Sequence, residues 1–493
     1  MTRKKLHKTT LVICILLIAI WHFWSLSYSP LPWFDETFFA SITNSLMNGH
    51  GFHLAVCPIQ TNGEQVLTYG PVYFLLTTLS SSIFGFGIMS FRIVNLIGAI
   101  ISLLFFYRIL QQLLLPFWLI ISVTFLLIFD VIFIQNAHSG RMDLVALAFF
   151  LASISIHIGG KNKEITPFLI GLLGTLAVLT TLRIAVFVLP FFITLFVFKL
   201  VNRNWRYSMI LLFTSLVLYG IWIWWGFGSI SNFIQEYSGS KTDMALNNKN
   251  LISSFVGGNF QIPFYQIPLI VIGSISVLIM LIKKYKLLNV WILIMPIPFF
   301  YLLVKDTGAY SAMVVPFWYL AIAMAVNFVQ SENSQIKKYL YPLYAAIVLL
   351  FIVNSSIFAL KSITIVSTIA ERDPKSLEHW AKKHIPEGSR VVGDDRYYYA
   401  CMQNNSDFQY MDRVNSHLTR ANYHASKYHP NYLFISNQTP SEILDAYRNV
   451  FNFEEKWDYV PTNTNTKIQR FISMLPITIQ SSYQGTLIKV SKK

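Results

Sequence analysis

Charge is what this sequence has least of: Asp, Glu, Lys and Arg make up only 12% of its 493 residues, against 54% hydrophobic and 16% aromatic residues. A soluble globular chain carries about twice that charged fraction, which excludes a soluble fold and leaves a polytopic membrane protein. Cysteine is almost absent. Cys14 lies in an apolar run, and Cys57 and Cys401 stand far apart with no His or Cys at ligand spacing, so zinc and haem motifs are excluded. Lys and Arg are missing from the whole stretch 30–87, although the chain carries a formal +15. Internal repeats and low-complexity linkers are missing as well. No small-residue cleavage site follows Trp21, so Arg3-Lys4-Lys5 and the apolar run after them read as an uncleaved first span.

A transmembrane helix needs roughly 17 to 25 mostly apolar residues. Eleven segments meet that, near 10–29, 88–107, 113–134, 142–158, 165–182, 184–200, 207–225, 264–282, 288–304, 309–328 and 339–360. Residues 71–84 are too short to cross and read as an amphipathic helix at the interface. With a cytoplasmic N-terminus, the inner segments then collect Arg3, Lys4, Lys5, Lys8, Arg108, Lys161, Lys163, Lys199, Arg203, Arg206, Lys283, Lys284, Lys286, Lys337 and Lys338. The outer ones before 339 hold only Arg141, Arg183, Lys241, Lys249 and Lys305. Were 71–84 a span, most of the basic clusters would move outside, against the positive-inside rule. The excess positive charge therefore sets topology, and no nucleic-acid partner is expected.

From Lys361 onward, polar and charged residues are scattered between short apolar runs. Residues 390–393, 432–435 and 486–490 read as strands; 376–383 and 440–449 read as helices, the latter with Thr439 as N-cap before Pro440. The expected fold is an all-α polytopic membrane protein of about eleven transmembrane helices, with interfacial helices in the first outer loop and a small C-terminal α/β extracytoplasmic domain. The division falls at 1–360 and 361–493.

Directly after the first apolar run comes Pro32-Trp33-Phe34-Asp35-Glu36-Thr37. Carboxylates at a membrane boundary cost several kcal/mol unless they meet water or a partner, which marks Asp35 and Glu36 as candidate catalytic groups. The plain alternative is that they only open the following helix, where acidic residues suit the first turn. The loop continues through Asn48-Gly49-His50-Gly51 to Tyr69-Gly70-Pro71-Val72-Tyr73, which opens the second interfacial helix. His50 and His53 have no carboxylate beside them and read as solvated, and Trp222, Trp224 and Trp225 read as an interfacial aromatic belt.

This layout resembles the C-type membrane glycosyltransferases, the superfamily of protein O-mannosyltransferases and bacterial aminoarabinose transferases of lipid A. The likeness covers roughly 10–225: a first span ending in an acidic pair, an interfacial helix and a Pro-Tyr element. Further matches are Arg141-Met142-Asp143 at the mouth of the fourth span and Thr181-Leu182-Arg183, with its basic residue shifted by one. The resemblance implies an enzyme of a bacterial-type cytoplasmic membrane, with its active site on the extracytoplasmic face. That enzyme moves one sugar, with inversion, from a polyprenyl-phosphate donor to an acceptor hydroxyl on a glycan, lipid or protein. The chain departs from the pattern before Pro71, where the aminoarabinose enzymes have a carboxylate that helps hold a divalent metal and this chain has Thr68 and Tyr69. No cofactor is assigned, no metal ligand is named, and a divalent metal stays open.

Such a transfer needs a base for the acceptor proton and cations for the charge on the departing phosphate. One carboxylate suffices where hydrolysis of an ordinary glycoside needs two. Asp35 is the expected base, with Glu36 and Asp143 as further catalytic candidates. Arg141, Arg183, Lys305, Tyr69 and Tyr73 are the candidate phosphate-binding residues, since a guanidinium forks onto phosphate oxygens. Four of these have a bland reading: interfacial anchor for Arg183, surface pair with Asp306 for Lys305, structural pair with Asp143 for Arg141, helix cap for Glu36. The rival functions are a lipid or polysaccharide transporter and a noncatalytic polysaccharide-assembly subunit. A transporter more often carries duplicated halves and mid-membrane charge.

Overall fold

The computed structural model describes residues 17–58, 65–160, 165–239, 266–282, 292–304, 310–331, 340–411, 417–461 and 482–493. Lys305 and parts of the loops expected on either side of the membrane lie outside them.

Apolar helices stand at or within each expected span, the first described only from residue 17. By length and composition, five of them can cross on their own: Ile88–Gln112, Leu182–Val201, Trp205–Phe227, Ser311–Ser331 and Leu340–Ser367. Asp143–Gly159 has 17 residues and Ile165–Thr180 has 16; at 1.5 Å rise per residue they fall short of a hydrocarbon core about 30 Å thick. Pro71–Phe84 is a 14-residue helix that exposes Leu75, Leu79 and Ile83 along one side.

The expected span 113–134 is broken. Phe117–Ile128 and Val131–Ala137 meet at 59°. Asp130 causes the break: its Oδ1 accepts from the backbone N–H groups of Ile132 and Phe133, both at 3.0 Å, which caps a new helix where the old one would have continued. Its Oδ2 accepts from the Tyr319 hydroxyl at 3.0 Å, and Asn354 Nδ2 donates to the same hydroxyl at 2.9 Å. Asp130 is thus compensated by hydrogen bonds, as a carboxylate in an apolar bundle must be.

The helix containing Tyr319 is the centre of the bundle: 94% of its apolar window is buried, against 22% for Leu340–Ser367. Between helices in lipid, hydrophobic drive is weak and close packing of small and polar residues replaces it. Helices Ile88–Gln112 and Asp143–Gly159 follow that rule: a Cβ at Gly98 would lie 2.9 Å from the Val145 nitrogen, and Ser102 Oγ donates to the Leu144 carbonyl at 3.2 Å.

After Leu340–Ser367 the chain builds a five-stranded sheet from β1 (Arg390–Gly393), β2 (Asp407–Tyr410), β3 (Tyr432–Ser436), β4 (Phe451–Tyr459) and β5 (Gly485–Lys492), ordered β2-β1-β3-β5-β4. β1 is parallel to β2 and β3, and β5 is antiparallel to β3 and β4. Helices Pro374–His384 and Ser441–Val450 appear where expected, but the second is capped at Pro440; the Thr439 hydroxyl instead accepts from the Ser436 N–H at 3.1 Å. Alternate residues face two different cores. Val392, Leu433 and Ile488 pack with Ile443 and Tyr447, whereas Val391, Phe434 and Leu487 share a cluster with Phe38, Phe39, Tyr73 and Phe91. The tail sheet and the segment from Leu31 to Phe91 therefore have one continuous core.

Candidate functional site

Helix Phe34–Met47 starts at an extended Trp33 with no side-chain cap, and its first turn carries Asp35 and Glu36, whose charge suits the positive end of the helix dipole. Neighbours on an α-helix point about 100° apart. These two acids consequently meet different partners.

Glu36 turns into the bundle. Its carboxylate accepts two hydrogen bonds from Arg92, Nε and Nη2 each at 2.9 Å, and both side chains are fully buried. Arg92 Nη1 also donates to the Leu26 carbonyl at 2.6 Å, which ties the end of the first span to the pair. The space over Glu36 admits only glycine, since a Cβ at Gly140 would lie 2.6 Å from Glu36 Cγ. That geometry suits a positioning role for Glu36 and leaves it remote from solvent.

Asp35 turns outward, its side chain a quarter exposed, with Oδ2 hydrogen-bonded to Arg141 Nη1. Arg141 Nε donates to Asp143 Oδ2 at 2.6 Å, so one buried guanidinium bridges two carboxylates. The same guanidinium lies 5.1 Å from the Trp33 ring centroid and 4.5 Å from that of Tyr310, and Arg183 lies 3.9 Å from the Tyr310 ring. The Arg141 segment is itself held: Asn95 Nδ2 donates to the Ser139 carbonyl, and the Arg141 N–H donates to it at 2.9 Å. Just upstream, His22 Nδ1 and His138 Nε2 are 2.8 Å apart.

Asp35, Arg141 and Asp143 are thus directly joined, and Arg183 joins them through Tyr310. Tyr73 is fully buried within electrostatic reach of Glu36, Asp143 and Arg141. Its hydroxyl and Asp143 Oδ1 have no hydrogen-bond partner among the described residues. Tyr69 is half-buried and packs its ring 5.2 Å from Phe39. Arg92, Tyr310 and Trp33 were missed at the level of sequence. Arg92 left a trace there, a cation a few residues inside an apolar span; Tyr310 left none.

The residues present do not fit a divalent ion. Asp35 and Asp143 are both ion-paired to Arg141, and no three His, Cys, Asp or Glu side chains among the described residues stand close enough together to hold one. His53 pairs by a backbone bridge with Gln65 instead. Trp224 and Trp225 are exposed as a belt requires, whereas Trp222 is buried against Phe52.

No family model and no curated protein matches the sequence. Solved structures do. ArnT from Cupriavidus metallidurans in the apo state superposes with a TM-score of 0.57 at 11% identity, over 98% of this chain and 98% of that one. The same protein bound to undecaprenyl phosphate gives 0.54 at 11% identity, over 97% and 98%. The arabinofuranosyltransferase AftD from Mycobacteria gives 0.53 at 10% identity, with 96% of this chain covering 39% of that much longer one. The chain is an integral membrane protein that shares the fold of ArnT and AftD. Within that fold its likeness to ArnT runs along the whole length of both chains, tail included.

Proposed function

We propose that this protein is a membrane glycosyltransferase that moves a single sugar, with inversion, from a polyprenyl-phosphate donor to an acceptor hydroxyl on the extracytoplasmic side. The observation that carries this reading is the cluster Asp35–Arg141–Asp143, in which Asp35 alone is partly open, set in a fold shared with a protein crystallised with undecaprenyl phosphate. The acceptor oxygen attacks the anomeric carbon from the face opposite the phosphate. The bond from that carbon to the phosphate oxygen breaks, its electron pair leaves with the polyprenyl phosphate, and the hydroxyl proton passes to Asp35.

Arg141 aligns Asp35 and Asp143, while the charge growing on the phosphate falls to Arg183, which is half-buried and makes no ion pair among the described residues. The orphaned Tyr73 hydroxyl and Asp143 Oδ1 supply polar groups for a substrate, since a buried group left unpaired costs about 1–3 kcal/mol. Glu36 keeps the Asp35 turn in place through Arg92. Residues 1–360 form the transferase domain of about eleven spans, and the tail from 361 lies outside with Asp35.

Purified protein given a labelled polyprenyl-phosphate sugar and candidate acceptors tests the reading. Transfer that Asp35→Asn abolishes supports it; donor that crosses the membrane without loss of its sugar indicates a transporter, and binding without turnover an assembly subunit. Cysteines placed at exposed Asn48 and Glu387 should react with an impermeant thiol reagent from the outer side. Protection until lysis overturns the topology.

A further inference from the structure

The tail sheet reaches the turn that carries Asp35. β2 is an edge strand, and it continues past its own sheet: the Tyr410 N–H donates to the Val56 carbonyl at 3.0 Å, seating the edge on the first outer loop. The Tyr410 side chain, 2% exposed as a residue, then points at helix Phe34–Met47. Its hydroxyl lies 2.6 Å from Thr37 Oγ1 and its ring 5.3 Å from that of Phe34. Thr37 Oγ1 also reaches the carbonyls of Trp33 and Phe34, at 3.3 and 3.2 Å, and the Tyr410 hydroxyl reaches that of Phe34 at 3.5 Å, so the two hydroxyls together serve the carbonyls of this turn.

The placement matters because this helix start lacks a side-chain cap, and an uncapped first turn frays. Phe34 and Thr37 bracket Asp35 and Glu36 in that turn. Glu36 is fixed from the membrane side by Arg92, and the backbone on either side of the acid pair is fixed from the tail by Tyr410. The ion pair to Arg141 holds one oxygen of Asp35 but not the turn beneath it.

We propose that Tyr410 is a positioning residue of the transferase site: through Thr37 and Phe34, the C-terminal sheet holds Asp35 at the distance its chemistry needs. This rests on the role proposed for Asp35. The tail is then a working part of the site, with no direct contact to substrate required of it.

The test uses the full-length protein. Tyr410→Phe removes the hydroxyl and keeps the ring; kcat should fall roughly 10-fold, since a misplacement of about 1 Å costs up to 10²-fold, while the donor KM stays as in the parent. Thr37→Val removes the other half of the bond and should give the same loss, and the double variant should lose no more than either alone. Tyr447→Phe is the control, because its hydroxyl bonds His424 at 2.6 Å inside the tail, away from the helix. It should lower thermal stability without changing kcat. If Tyr410→Phe does not fold, Thr37→Val decides alone. Parent-like kcat in the Tyr410 and Thr37 variants, or a change confined to KM, overturns the proposal while Asp35→Asn remains inactive. Turnover retained in Asp35→Asn instead overturns the base assignment, and this inference with it.

Discussion

Two ion-pair systems meet at one helical turn and are built for different tasks. On the inner side, Glu36 and Arg92 are fully buried, bidentate and closed, with Gly140 pressed against the carboxylate. On the outer side, Asp35 shares Arg141 with Asp143, whose Oδ1 has no partner among the described residues, and keeps a quarter of its own side chain open. A closed pair contributes rigidity and has no spare valence for chemistry. An open one leaves a carboxylate oxygen for a substrate, and it can be kept accurate only because its closed neighbour fixes the backbone.

The comparison breaks most violently at the closed pair. Arg92→Ala or Glu36→Gln leaves a buried charge without its partner, at a cost of about 3–5 kcal/mol. Thermal unfolding in detergent should show a large loss of stability, and activity should fall with the folded fraction. Parent-like stability in both variants would mean the pair is not desolvated as drawn. At the open pair the effects invert. Asp35→Asn should unfold at nearly the parent temperature while transfer at saturating substrates drops by roughly 10²-fold or more, a usual contribution for a general base. Near-normal turnover would refute Asp35 as the base.

A smaller effect sharpens the outer side. Arg183→Ala should weaken donor use at limiting donor, with Arg183→Lys recovering only part, because an ammonium cannot fork onto two phosphate oxygens. Full activity in the Ala variant would move the phosphate elsewhere.

The last effect is absent at neutral pH and grows only on acidification; it is in the tail, on the sheet face away from the site. Burial, with the nearby Arg420 charge, lowers the His424 pKa to about 3. The folded tail therefore binds the proton more weakly than the unfolded chain does. Its stability is complete above the ordinary histidine value and declines as pH falls from there toward 3, by at most about 1.4 kcal/mol per pH unit. Protease sensitivity of the tail between pH 6.5 and 4 should follow that slope and should flatten in His424→Gln.

Much of the tail could be read ahead of the structure, but not all of it. The strands at 390, 432 and 486 are apolar because both faces of the sheet are covered. β2 and β4 escaped notice: Asp407-Phe408-Gln409-Tyr410 is short, and Phe451–Tyr459 carries charge along an exposed edge, which is how edges avoid unwanted pairing. The tail thiol Cys401 is free and buried, packed in the cluster that the sheet shares with helix Phe34–Met47. In the membrane region, the break at Asp130 was hidden in a run that hydropathy alone averages into one span.

The sequence by itself determined the apolar helices, the acid pair at the end of the first span and the short motif that puts Arg141 two residues before Asp143. All of these are local patterns, set by composition and spacing. Only the tertiary structure decided which acid of the pair is closed and which is open, because that depends on Arg92, Tyr310 and Tyr410, which come to the turn from 56, about 275 and about 375 residues away. A helix turns each successive side chain by about 100°, so adjacency in the chain separates Asp35 from Glu36 but does not say which faces water. The partners that packing brings to the two sides settle it.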